Sequence, residues 1–218
     1  MLAAIALVAM GFAYAGQSAG AAVDIGIRDE LRHLGSPWRQ IALVVDWLAE
    51  PVGAAVVIVT LVVLFLRARN RFAAVLVVVA PAAVVVVTTG MKPLVGRTIN
   101  DGFLSFPSGH TGFLSAVALV VTLVVVRRAW VTAVVTVAAG LAMAWAQVLL
   151  NAHYPTDTLG GFCVTLAVVP VVVIVLNKTW TVVSRAAPAA ADDRPGENSL
   201  PARGGAPAVP PSPSATHD

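Results

Sequence analysis

Charge is what this chain lacks most. Only 11% of its 218 residues are Asp, Glu, Lys or Arg, where soluble domains carry about 25%. Such a chain cannot cover a water-facing surface of its own, and a mean hydropathy of +0.87 makes lipid the solvent for much of it. Cysteine is nearly absent too. Cys163 stands alone, which excludes an intrachain disulfide and a cysteine metal cluster. It lies in an apolar run and reads as a core residue. Basic residues outnumber acidic ones by 14 to 11, but the arginines are scattered in groups of three at most. They form no stripe of the kind nucleic acid requires, so no nucleic-acid partner is expected.

What the chain does have is apolar runs. A helix needs about 20 apolar residues to cross a ~30 Å hydrocarbon core. Runs at 2–23, 41–66, 72–90, 110–126, 129–150 and 158–177 qualify or come close. Pro51-Val52-Gly53 interrupts the second, which predicts a short interfacial helix over 38–49 and a crossing from 51 to 66. Valine is abundant, but strands would leave open edges in lipid, so helices are expected. The predicted fold is therefore all-α, a polytopic membrane helix bundle of six transmembrane helices. It spans residues 1–185. Residues 186–218 hold seven of the fourteen prolines, cannot bury enough surface to order themselves, and are expected to form a disordered tail.

Lys and Arg assign the sides. The turn "RARNR" at 67–71, Arg127-Arg128, and Lys178 with Arg185 are cytoplasmic by the positive-inside tendency, as is the tail. Residues 24–40, 91–109 and 151–157 then face the extracytoplasmic side. The opening "MLAAIALVAMGFAYAG" could be a signal peptide, but it has no basic n-region and its apolar run continues to Val23. A retained span is favoured.

Three polar groups on the outer side remain unexplained by membrane anchoring: "KPLVGR" (92–97), "PSGHTG" (107–112) and "NAHYPTD" (151–157). Ionisable groups at membrane depth cost about 2.5–3.5 kcal/mol each on insertion scales and so mark function. Ser108 is a candidate N-cap for the fourth span. The first turn behind it, with Gly109 and His110, offers free amides and a positive dipole end, which suits an anion. His153 and Asp157 are spaced i, i+4 and share a face if helical. Asp157 could then fix the tautomer of His153 and leave its other nitrogen as a nucleophile or base. Gly160 and Gly161 allow close packing of the last span. A cationic loop, a helix N-terminus and two imidazoles suit phosphoryl transfer, which needs mainly positioning and charge stabilisation. A metal site of His110, His153 and Asp157 is the competing reading.

These motifs resemble the type 2 phosphatidic acid phosphatase superfamily. Its signature runs K-x6-R-P, then P-S-G-H, then S-R-x5-H-x3-D. "PSGH" matches in full at 107–110, the third part matches at His153 and Asp157, and the first at Lys92. The resemblance implies a membrane phosphatase acting on a lipid phosphate or diphosphate without metal or cofactor. In it His153 is the nucleophile that forms a phosphohistidine, Asp157 orients it and His110 is the general acid. Lys92, Ser108 and the Gly109 amide are implied to hold phosphate. The family's Arg-Pro falls on Ile99-Asn100, and its Ser-Arg on Ala146-Gln147. Arg97 and Gln147 are expected to take over part of the missing contacts. A catalytically impaired lipid-phosphate binder or carrier is the alternative function. The sequence leaves the oligomeric state open.

Overall fold

The computed structural model describes the backbone of residues 1–126 and 128–192, and side chains as far as Val182. The elements run α1 (Leu2–Ala13), α2 (Ala22–Arg32), α3 (Trp38–Trp47), α4 (Pro51–Arg67), α5 (Arg71–Val95), β1 (Thr98–Ile99), β2 (Phe103–Leu104), α6 (Gly109–Val125), α7 (Ala129–Leu149) and α8 (Pro155–Asp192). Residues Met1–Trp180 form one compact unit, which contains the polar centre and the core around it. Thr181–Asp218 form a second, whose described part is the end of α8. The tail predicted from residue 186 is helical to Asp192, and its remainder lies outside the described residues.

The break predicted at Pro51 is present. Pro51 sits at the start of α4, where its missing N–H costs nothing, and α3 and α4 meet at 61°. Among the described residues, three helices are long and apolar enough to cross a membrane, namely α5, α7 and the Pro155–Val182 part of α8. The bent α3–α4 pair is a fourth if it counts as one span. The sequence predicts six. The difference lies in α1 and α6, apolar helices of 12 and 17 residues, which at 1.5 Å per residue reach about 18 and 26 Å against a ~30 Å hydrocarbon core. In the run at 2–23, continuous in hydropathy, the helix ends at Ala13 with Tyr14 as its C-cap, and Gly16, at φ 66°, then turns the chain. Beyond Gly16 the chain enters α2, an amphipathic helix where the sequence predicts a loop. Its Ile27 and Leu31, spaced i, i+4, turn toward α7 and α8 and line an apolar cavity of 510 Å³ there. The all-helical class holds apart from the two-residue strands β1 and β2, paired antiparallel through Thr98–Leu104 and Ile99–Phe103.

α6 is central, packed against α5 on one side and α7 on the other. Leu76, Val77 and Val84 of α5, Val120 of α6 and Val164 of α8 form the buried core, with Cys163 among them. Valines such as Val56, Val59 and Val63 of α4 stay exposed, as a lipid-facing surface requires. α8 meets the start of α6 through glycine. A Cβ on Gly161 would collide with the Ser108 carbonyl oxygen, a backbone atom that cannot swing aside. Gly161→Ala is therefore expected to force α8 off α6 and to cost at least about 1–3 kcal/mol, read as a lowered Tm in detergent.

Candidate active site

The site is built where four chain segments end. Ser108 is the N-cap of α6: its buried hydroxyl accepts from the Thr111 amide at 3.4 Å and from the Thr111 hydroxyl at 3.2 Å. Gly109 and His110 form the first turn, as the sequence predicts. The Ser108 amide donates to the Asp157 carbonyl at 2.9 Å, which joins this turn to the first turn of α8. Thr165 reinforces the joint by donating to the Gly112 carbonyl at 2.8 Å. With its hydroxyl committed to the cap, Ser108 offers a ligand position rather than a free side chain, and the amides after it carry the positive dipole end.

His153 lies between α7 and α8. The amides of Ala152 and His153 both reach the Gln147 carbonyl, at 2.9 and 3.4 Å, so the C-terminal turn of α7 fixes the segment. Asn151, at φ 61°, turns the chain out of α7. Pro155 then opens α8 and brings Asp157 alongside. His153 is buried, and its Nδ1 is 3.7 Å from Asp157 Oδ2. That distance is an ion-pair contact rather than a hydrogen bond, and Oδ2 instead accepts from the Tyr154 amide at 2.9 Å. Catalytic hydrogen bonds commonly tighten only when substrate binds. Burial holds the His153 imidazole below the usual histidine range. Asp157 opposes that shift, while the charges of Lys92 and His110 add to it. Burial is the largest of these causes, and at neutral pH the ring is uncharged.

Lys92 is not in a loop. It belongs to the last turn of α5, and with Gly109 and His110 it closes one end of a 640 Å³ cavity between α4, α5 and α6. The rest of that cavity is apolar, lined by residues such as Ile58, Val78, Val85 and Phe113.

Arg97 departs from expectation. The sequence predicts that it holds phosphate, yet it is fully buried and its charge is already matched. It donates to Asp157 Oδ1 at 2.6 Å, to Asp24 Oδ2 at 2.7 Å and to the Thr156 hydroxyl at 2.6 Å. The rings of Tyr14 and Tyr154 stack on its guanidinium at 4.1 and 4.5 Å. Only Nε lacks a partner. Two buried carboxylates demand a cation, and Arg97 supplies it. Gln147 likewise points elsewhere: its Nε2 donates to Asp46 Oδ1.

Asp46, Glu50 and Asp24 are the residues that sequence reasoning misses. His110 Nε2 lies 3.4 Å from Glu50 Oε1 and 3.7 Å from Asp46 Oδ1. The only warning in the sequence is that all three acids sit at the ends of apolar runs, where an ionised group is expensive. Among the described residues Asp46, Glu50 and His110 are the one set whose ligand atoms come within 4.8 Å of one another. The metal constellation that the sequence suggests, His110 with His153 and Asp157, is not assembled.

Fold and site together define an all-helical integral membrane protein with a polar centre at the helix ends. Residues 88–181, which hold Lys92, His110, His153 and Asp157, match the family model described as PAP2 superfamily. Among solved structures, it is similar to the crystal structure of a transmembrane PAP2-type phosphatidylglycerolphosphate phosphatase from Bacillus subtilis. The TM-score is 0.63 at 19% identity, over 82% of this chain and 98% of that one. At that identity the likeness concerns the fold. None of the curated proteins matches the chain.

Proposed function

We propose that the protein is a membrane phosphatase that hydrolyses a lipid phosphate or diphosphate at its extracytoplasmic face. Buried His153 beside Asp157 at the start of α8, and the cavity closed by Lys92 and the N-terminus of α6 with His110, carry this reading. His153 attacks phosphorus, and the bond from phosphorus to the lipid oxygen breaks as His110 gives that oxygen a proton. Water, deprotonated by His110, then attacks the phosphohistidine and releases phosphate with His153 free. Lys92 and the amides at Gly109 and His110 neutralise charge on the phosphoryl oxygens throughout. The apolar cavity behind Lys92 and His110 suits the hydrocarbon part of such a substrate. Polyprenyl diphosphate, phosphatidic acid and phosphatidylglycerophosphate are the candidates. The Bacillus subtilis neighbour bears the name of a phosphatase for the last of them.

Phosphate release by the detergent-purified protein from a panel of these lipids, undiminished by chelator, tests the reading. Absence of release from every lipid removes it. The depressed basicity of His153 also sets a pH dependence. The nucleophile is inactive only when protonated, so kcat/KM should hold as pH falls through the ordinary imidazole value of about 6.5 and decline below it. A pH–rate profile checks this.

A second reading, a lipid-phosphate binder that retains the fold, is favoured by one observation. Ile99 replaces a family arginine, and Arg97 and Gln147 are both engaged with protein carboxylates. Lipid phosphate binding with no trapped phosphohistidine distinguishes it.

A further inference from the structure

Asp24 lies outside the stretch matched by the family model, yet it is fully buried beside the residues that hold His153. Its Oδ2 accepts from Arg97 at 2.7 Å and from the Thr156 hydroxyl at 2.9 Å. Its Oδ1 accepts from the Thr156 amide at 3.0 Å. That amide is in the first turn of α8, one residue before Asp157. Four residues further along α2, Arg28 places its guanidinium 4.9 Å from the Tyr154 ring and donates to the Asn151 side chain. One helix therefore grips the 151–157 segment at both ends, from the i and i+4 positions of a single face.

We propose that Asp24 is a positioning residue for the nucleophile: by fixing Arg97 and the first turn of α8 it holds Asp157 in register with His153. This rests on the phosphatase reading. Arg97 bridges the two carboxylates, so the chain of contacts runs Asp24, Arg97, Asp157, His153. Removing Asp24 acts in two ways. It frees the first turn of α8, and misplacement of a catalytic group by about 1 Å can cost on the order of a hundredfold. It also deletes a negative charge behind Asp157. The groups facing His153 are Asp157 from α8, Lys92 from α5 and His110 from α6, the last with Asp46 and Glu50 beside it. With Asp24 neutral, the Arg97 charge is matched by Asp157 alone. The surroundings of His153 become more positive, and its protonation moves to lower pH.

The test is Asp24→Asn in full-length protein, with kcat, KM and the pH profile measured on the best lipid phosphate of the panel. A 13C-histidine NMR titration of His153 is run in parallel. Expected are a fall in kcat of about 10- to 100-fold with KM within about twofold, and a His153 midpoint displaced to lower pH. A raised KM with unchanged kcat, or an unmoved His153 titration, overturns the proposal. Should Asp24→Asn fail to fold, Asp24→Glu keeps the charge that Arg97 and Asp157 need and displaces the carboxylate from Thr156. That variant is expected to lose kcat while His153 titrates near its wild-type midpoint, and wild-type kcat in it overturns the proposal. If the wild type hydrolyses none of the lipids, the phosphatase reading falls, and the NMR titration still decides the role of Asp24.

Discussion

Replacing His153 with alanine is expected to lower phosphate release by at least about a thousandfold, with lipid binding retained. The size of the loss comes from the role. Removing a nucleophile leaves only the residual catalysis of the surrounding charges, and no second group in the site can form the covalent intermediate. His110 cannot substitute, because its ring stands on the first turn of α6 with Glu50 3.4 Å from Nε2. Acid-labile phosphate trapped on the wild-type chain and absent from His153→Ala is the second readout. Turnover within tenfold of the wild type in the variant moves the nucleophile elsewhere.

Arg97→Ala is expected to be the most damaging substitution for stability. It would leave Asp24 and Asp157 buried without their cation, a change that typically costs about 3–5 kcal/mol. It would also empty the space between the Tyr14 and Tyr154 rings, which stack on the guanidinium. Loss of the folded fraction in detergent, or a large drop in Tm, checks this. A variant that folds normally and loses only substrate affinity would restore Arg97 to the phosphate-binding role that its sequence position suggests.

That position shows where the sequence can be read and where it cannot. Ser108, Gly109 and His110 are legible because capping is local: the residue types that start a helix are adjacent in the chain. His153 and Asp157 are legible because i, i+4 spacing fixes their neighbourhood once α8 begins at Pro155. The interruption at Pro51 is legible for the same local reason. Arg97 is misread because its partners are remote. Its bonds reach across 60 residues to Asp157 and 73 to Asp24, and nothing in "KPLVGR" reveals that two carboxylates will consume the charge. Gln147 likewise finds Asp46 across 101 residues. α1 is overextended in the sequence because hydropathy sums on to Val23 without registering that the helix has ended at Ala13. α2 is overlooked because its apolar residues are few, and their spacing matters only once α7 and α8 stand opposite.

The Asp24–Thr156 bonds span 132 residues, which has a consequence for biogenesis. Arg97 precedes α6 in the chain, so Asp24 can meet its cation early, but the two Thr156 donors and the second carboxylate on Arg97, Asp157, come only with α8. The polar centre is thus completed only once α8 has begun, and on the phosphatase reading a nascent chain halted before Pro155 would be inert.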